Sequence, residues 1–396
     1  MQLPIYMDNH ATTRVDARVL EAMLPYFTEN FGNAGSITHS FGLQARDAVE
    51  ESRENIAAAI GAKAKEIVFT SGSTESNNLA LRGVADKLSS KGRHLISVVT
   101  EHPSVLDPLE KLGRRGFDVT LLPVIAAPHN RSGLIQVEQL AQAMRKDTIL
   151  VSVMLANNEI GAIQPMAEIV RLCKQREVIL HTDATQAVGK IPVKVDQLQV
   201  DLMSFTAHKI YGPKGIGALY VRRGNPQLRL EPLIDGGGQE AGLRSGTLNV
   251  PGIVGFTRAL ELCLQEMPEE QSRLRSLRDR LYLDLTSALS GVLLNGPALE
   301  LVDLRLPGNL NVSFDYIDGE SLLMNVKDLA LSSGSACTST NPEPSHVLRA
   351  LGLKEETVRG SIRFGLGRFN TAEEVDFAVT RLSETVNTLR KMSSMA

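Results

Sequence analysis

Between about residue 45 and residue 225, short β-branched apolar runs alternate with stretches whose apolar residues recur every three to four positions. The runs Glu66–Thr70, His94–Val99, Asp118–Val124, Thr148–Ala156, Val178–Asp183, Asp201–Thr206 and Gly217–Val221 are mostly continuous in apolar character. That is the pattern of strands buried on both faces. Helical stripes lie between several of them: Leu81, Val84, Ala85 and Leu88; Val137, Leu140, Ala141 and Met144; Met166, Ile169, Val170 and Cys173. Alternating strands and helices predict a mostly parallel sheet covered by helices, in which ligands gather at the carboxyl ends of the strands.

Near residues 225 to 252 the rhythm breaks into Pro, Gly and polar residues, including Gly236-Gly237-Gly238. A hinge helix near 255–267 is expected next, with Phe256, Ala259, Leu260 and Cys263 on one face, then a second, charged helix from about Glu269 to Ser290. A polar loop at Ser332–Asn341 and an amphipathic helix at Glu373–Lys391 follow. This predicts a large α/β domain over 15–260 and a smaller α+β domain formed by 1–14 with 261–396, which carries the loop.

Composition narrows the function. Of 396 residues, 43% are hydrophobic and 22% charged, as in a globular protein with a large core. The net charge of -3, without a basic block, and the absence of Trp give nucleic-acid binding no footing. No apolar run approaches the ~18–20 residues that span a bilayer, and the first residues lack the apolar core of a secretory signal. A cytoplasmic enzyme is the expectation. Three cysteines are too few and too scattered for a disulfide framework or a CxxC metal site.

Those cysteines differ in context. Cys173 and Cys263 complete apolar helical stripes and read as buried thiols. Cys337 lies in Ser332–Pro342, where Gly and Ser replace any apolar period, so its thiol is available for chemistry or is an incidental surface group. Lys209 closes the strand Asp201–Thr206 at the end where ligands collect and is placed to form a Schiff base. Asp183 ends the preceding strand, and a carboxylate at that depth needs a cation or a protonated heterocycle. Pyridoxal phosphate (PLP) requires that combination: a lysine for its aldehyde and a carboxylate for its pyridinium nitrogen. Ser71-Gly72-Ser73-Thr74-Glu75 opens a helix directly after a strand, which suits an anion as well as it suits a plain helix cap. Neither a GxxxxGK[ST] nor a strand-borne GxGxxG is present. His102 can lie over a planar ring or be a satisfied structural histidine. Arg363, between Ile362 and Phe364, can fork onto a carboxylate or form a structural ion pair.

Seven segments then stand together in order: Met7–Thr13, Ser71–Asn78, Asn157–Gly161, His181–Gln186, His208–Gly215, Arg244–Thr247 and Ser333–Cys337. With them the chain resembles the cysteine desulfurases of the NifS/IscS type over nearly its whole length. The resemblance implies the class V fold of PLP-dependent transferases, like that of aspartate aminotransferase. Lys209 would hold PLP and move protons at the substrate Cα, Asp183 would pair with the pyridinium, Gln186 would bond the ring hydroxyl and His102 would stack on the ring. Ser73, Thr74, Thr206 and His208 would hold the phosphate, with Thr247 coming from the other subunit of a homodimer. Asn158, beside the cofactor, and Arg363 would hold the carboxylate of L-cysteine. Cys337 would take the sulfur as a persulfide and pass it to an iron–sulfur scaffold or another acceptor, and is a candidate transient cluster ligand; no other metal site is implied. Two departures stand out: Asn33–Ser36 lacks the family's loop proline, and Lys391–Ala396 ends short of the tail that helps dock the scaffold in housekeeping members. A class V aminotransferase or a β-eliminating lyase would share Lys209 and Asp183, but has no use for Cys337. A noncatalytic scaffold has no use for the set as a whole.

Overall fold

The computed structural model describes residues 2–333 and 344–393. Its centre is a seven-stranded sheet in the spatial order Ile67–Thr70, Gly217–Val221, Leu202–Thr206, Ile179–Asp183, Thr148–Ser152, His94–Val98, Asp118–Leu122. All strands run the same way except Gly217–Val221, which is antiparallel to both neighbours. Every one of the expected strands forms. Successive residues face opposite layers: Val68, Leu95, Leu150 and Leu202 pack under the helices Ser73–Leu88 and Pro103–Arg114. Phe69, Ile96, Val151, Met203 and Phe205 pack on the other face with Ser40–Ala59, Met166–Gln175 and Val250–Ala288. Burial on both faces is the reason these strands read as continuous apolar runs. The strand that leads to Lys209 is gripped from both sides, with Phe205 against Phe256 at 5.5 Å between ring centres. Each such buried side chain contributes about 1.5–3 kcal/mol.

The expected strand Thr148–Ala156 stops at Ser152. Beyond it the Met154 N–H donates to Glu101 Oε1 at 2.5 Å, and Asn157 Oδ1 accepts from the N–H groups of Glu159 and Ile160. Backbone bonds to the neighbouring strand nevertheless continue, from Val153 N to the His181 carbonyl at 3.1 Å and from Leu155 N to the Asp183 carbonyl at 2.9 Å. The two helices expected on either side of residue 268 are one helix, Val250–Ala288, with Pro268 inside it. Proline removes one backbone donor and costs about 3 kcal/mol within a helix. The apolar stripe nonetheless runs through it, with Phe256, Ala259, Leu260 and Cys263 in the sheet's core and Leu274, Leu277, Leu281 and Leu285 in a second core. Burial along both halves outweighs the lost bond.

That second core also takes Ile5 and Met7, the helix Ala372–Ser393, and a three-stranded antiparallel sheet in the order Ser361–Gly365, Asn309–Phe314, Val292–Leu294. The strand Ile5–Tyr6 pairs in parallel with Leu329–Ala330. Val347, Leu348, Leu351 and Val358 join the core of the large sheet instead.

Candidate active site

The carboxyl ends of the parallel strands open onto a cavity of 500 Å³, whose wall is completed by His10–Thr12 and Arg363. Lys209, Asp183, Gln186, His102, Ser73, Thr74, Thr206, His208, Asn158 and Arg363 all line it. Residues from six separate segments of the chain thus meet where the alternation of strands and helices predicts a ligand.

One end of the cavity is built for an anion. The helix Ser73–Leu88 starts at Gly72, whose φ of 155° suits glycine, and no side chain caps it. Gly217 must also be glycine, since a Cβ there would lie 2.7 Å from Gly72 Cα. The close backbone approach leaves the first N–H groups of this helix on the cavity wall, next to Thr74, Thr206 and His208. Ser71 N donates to Glu75 Oε2 at 2.7 Å, and Arg244 Nε holds Glu75 Oε1 at 2.9 Å, which steadies the turn. Burial, with Lys209, Lys214 and Lys190 nearby, pushes His208 down to about 3, so its imidazole is neutral near pH 7.

The same cavity holds the lysine. Lys209 Nζ donates to the carbonyls of His10 at 2.7 Å and Ala11 at 2.5 Å. Asp183, 5% exposed, accepts from Asn77 Nδ2 at 2.8 Å and from Thr185 N at 2.9 Å. Among the described residues it forms no ion pair, so of the two expected partners, a cation or a protonated heterocycle, the protein supplies no cation and only neutral donors. A buried carboxylate with only neutral donors fits a protonated ring nitrogen as its counter-charge. His102 Nδ1 accepts from Ser104 N at 3.1 Å and caps the helix Pro103–Arg114. A backbone N–H can only donate, and burial lowers the His102 pKa, so the neutral ring carries its proton on Nε2. Donors for an anion, a lysine, a buried carboxylate and a histidine lining one cavity fit PLP.

The substrate wall is assembled over longer distances. Arg363, 2% exposed in its strand, pairs with Asp8 Oδ1 at 2.8 Å, while Ser332 Oγ donates to Asp8 Oδ2 at 2.8 Å. Arg363 Nη1 reaches the Asn158 carbonyl at 3.4 Å, and its Nε has no partner among the described residues. Arg363 therefore forms the structural ion pair, and its side chain also lines the cavity. Thr247 is exposed and does not line the cavity. Cys337 lies outside the described residues, so its persulfide and cluster-ligand roles are untouched by this geometry. Among the described residues no group of three or more His, Cys, Asp or Glu is arranged to hold a metal ion. Burial pushes both Cys173 and Cys263 up to about 12, which keeps these thiols protonated and inert.

Sequence reasoning missed the supports. Asn77 and Ser104 are buried, and Asn77 Nδ2 donates to both Asp183 Oδ2 and Ser104 Oγ. Asn77 stands one turn after Ser73 and breaks an otherwise apolar helix face, which is the signal that could have found it. His10 sits in a quoted motif, yet its place against Gln186 at 3.0 Å depends on a contact 176 residues long.

A strand-end lysine, a buried carboxylate and an anion-binding helix start on a parallel sheet define a class: the α/β enzymes that carry PLP. The chain belongs to the aminotransferase class-V family, whose model matches residues 5–377. A protein of Anaeromyxobacter dehalogenans (strain 2CP-C) named cysteine desulfurase IscS is 54% identical over 395 residues, covering 100% of this chain and 95% of its own length. A solved structure described as a NifS-like protein superposes with a TM-score of 0.89 at 39% identity, covering 97% of this chain and 99% of its own. Another, described as SspA in complex with cysteine, gives a TM-score of 0.79 at 36% identity over 93% of this chain and 100% of its own. The fold is that of the class V PLP-dependent transferases, and PLP is the cofactor. Among the described residues no helix is long and apolar enough to cross a membrane.

Proposed function

We propose that the chain is a PLP-dependent cysteine desulfurase that takes sulfur from L-cysteine, releases alanine and donates the sulfur for iron–sulfur cluster assembly. The observation that carries this reading is the pairing of Lys209 with a cation-free Asp183 in a cavity that also presents Arg363, in a chain 54% identical to a named cysteine desulfurase. When bound, PLP supplies an electron sink that makes the substrate Cα acidic. Asp183, oriented by Asn77 and the Thr185 N–H, keeps the ring nitrogen protonated. Lys209 holds the cofactor and carries the proton to and from Cα. His102, protonated on Nε2, offers an N–H to the ring face and the substrate. Ser73, Thr74, Thr206 and His208 bind the phosphate beside the uncapped helix start. Gln186 bonds the ring hydroxyl. Arg363 and Asn158 take the substrate carboxylate. The Cys337 thiolate attacks the substrate sulfur: the S–S bond forms, the Cβ–S bond breaks with its electron pair left on carbon, and proton transfer completes alanine.

The working unit is a homodimer located in the cytoplasm, with the large domain at 15–260 and the small domain at 1–14 with 261–396. Two separate cores, joined by Val250–Ala288, support that division, although Val347–Val358 pack with the large one. An exposed apolar patch supports the dimer: Phe31 is 63% and Ile37 64% exposed, and Phe31 stacks near Phe41 at 5.3 Å. A groove lined by Asn33–Gly35, Gln239–Ala241 and Leu248 joins this patch to the Thr247 segment, which leaves Thr247 free to complete the partner's phosphate site. Purified protein incubated with L-cysteine should yield alanine and sulfide together under a reductant. Sulfide with pyruvate in place of alanine would mark a β-eliminating lyase and overturn the reading.

A further inference from the structure

Behind the cofactor cavity lies a smaller one of 30 Å³, and His10 borders both. Lys190 lines only the smaller. Its Nζ donates to Gln186 Oε1 at 2.7 Å. The same oxygen lies 3.0 Å from His10 Nδ1, and Gln186 Nε2 donates to the His10 carbonyl at 3.0 Å. Gln186 and His10 are 4% and 3% exposed, so bulk water does not reach them.

We propose that Lys190 is a positioning residue for the cofactor ring: through Gln186 Oε1, and together with the His10 carbonyl, it fixes which end of that amide, and hence which nitrogen of His10, acts as donor and which as acceptor. An ammonium can only donate, so the amide oxygen faces Lys190. A reversed amide would set donor against donor at Lys190 and acceptor against acceptor at the His10 carbonyl. With Oε1 facing it, His10 Nδ1 must carry the proton. Burial and the nearby cations lower the His10 pKa far below the ordinary value, so the ring is neutral and its Nε2 is bare. That nitrogen is buried and has no partner among the described residues. The order of the network thus runs from Lys190 to Gln186 to His10. It leaves the second Nε2 hydrogen of Gln186 as the donor available to the cofactor cavity. The charged and titratable groups around Lys190 are Lys209, Cys263, Glu270 and Arg363; around His10 they are Lys190, Lys209 and Arg363. Burial first, and then Lys209, push Lys190 down to about 7, so its charge is in place near pH 6.

The proposal rests on the PLP reading for its chemical consequence, but not for the tautomer. Nitrogen-15 NMR of histidine-labelled, cofactor-free protein near pH 6 should show His10, assigned by its loss in His10→Asn, as the Nδ1–H tautomer. Lys190→Met leaves only the His10 carbonyl to orient the amide and should raise the share of the Nε2–H tautomer, while Lys190→Arg, which keeps charge and donor, should not. In the loaded enzyme, removing a cation near Lys209 makes a proton there easier to hold. The midpoint of the cofactor's absorbance titration should therefore rise by about half a unit or more in Lys190→Met and return in Lys190→Arg. An Nε2–H tautomer in the wild type overturns the proposal, whatever reaction the enzyme catalyses. So does a Lys190→Met protein with both tautomer and midpoint unchanged.

Discussion

The two sides of the cavity are built in different ways. On the cofactor side, Asp183 and Thr206 end strands of one sheet, Thr74, His102 and Lys209 follow strands of it, and that sheet is buried on both faces. On the substrate side, Arg363 belongs to a separate antiparallel sheet and is held by Asp8, 355 residues away. The first side rises from the core of the large sheet; the second rises from the second core, with its guanidinium held by one ion pair. Cofactor geometry should therefore survive changes that disturb substrate recognition.

The largest effect is expected from Lys209→Ala, which removes both the attachment point and the proton carrier. Alanine production should fall by at least ~10⁴-fold, with the cofactor's visible absorbance altered and far-ultraviolet circular dichroism unchanged. An unaltered spectrum would remove Lys209 from its role. Asp183→Asn keeps the shape but loses the counter-charge to the ring nitrogen. The rate should fall by ~10²–10³-fold while the cofactor stays bound through its phosphate, so tight retention with a slow rate is the signature to look for.

Changes on the substrate side should be smaller and of another kind. Arg363→Gln gives up a charge-assisted contact of about 1.5–3 kcal/mol. That corresponds to a ~10–100-fold loss in kcat/KM carried mostly by KM, with the cofactor spectrum unmoved. Asp8→Asn leaves Arg363 without its anion and should alter KM several-fold in the same assay, again without a spectral change. A spectral change in either variant would mean that the two sides are not separable.

The same contrast explains what could be read in the sequence. Strand-end residues announce themselves because a buried parallel strand is a local apolar run and its next polar residue falls at the ligand edge. Lys209, Asp183, His102 and Ser71–Glu75 were legible for that reason. Asp8 against Arg363, and His10 against Gln186, depend on the docking of one sheet and the N-terminal segment on another, which no local period records. Asn77 lay hidden as a polar residue on an apolar face. Pro268 misled for the opposite reason: a strong local breaker is overridden where apolar contacts continue on both sides.

The smallest expected effect is electrostatic. His208 is held neutral, down to about 3 against 6.5 when unfolded, so between those values the unfolded chain binds the extra proton and the folded one does not. Stability of the cofactor-free protein should therefore fall as pH drops from about 6.5, and less so in His208→Asn. Equal melting losses in the two proteins between pH 7.5 and pH 5.5 would contradict this assignment.

The most direct test of sulfur transfer is mass spectrometry of the protein after brief exposure to L-cysteine, followed by alkylation and digestion. The account predicts one added sulfur on the peptide containing Cys337 and none on those containing Cys173 or Cys263. It also predicts that Cys337→Ser keeps its cofactor but releases almost no alanine. Alanine at the wild-type rate from Cys337→Ser, or sulfur found on Cys173 or Cys263 instead, would contradict it.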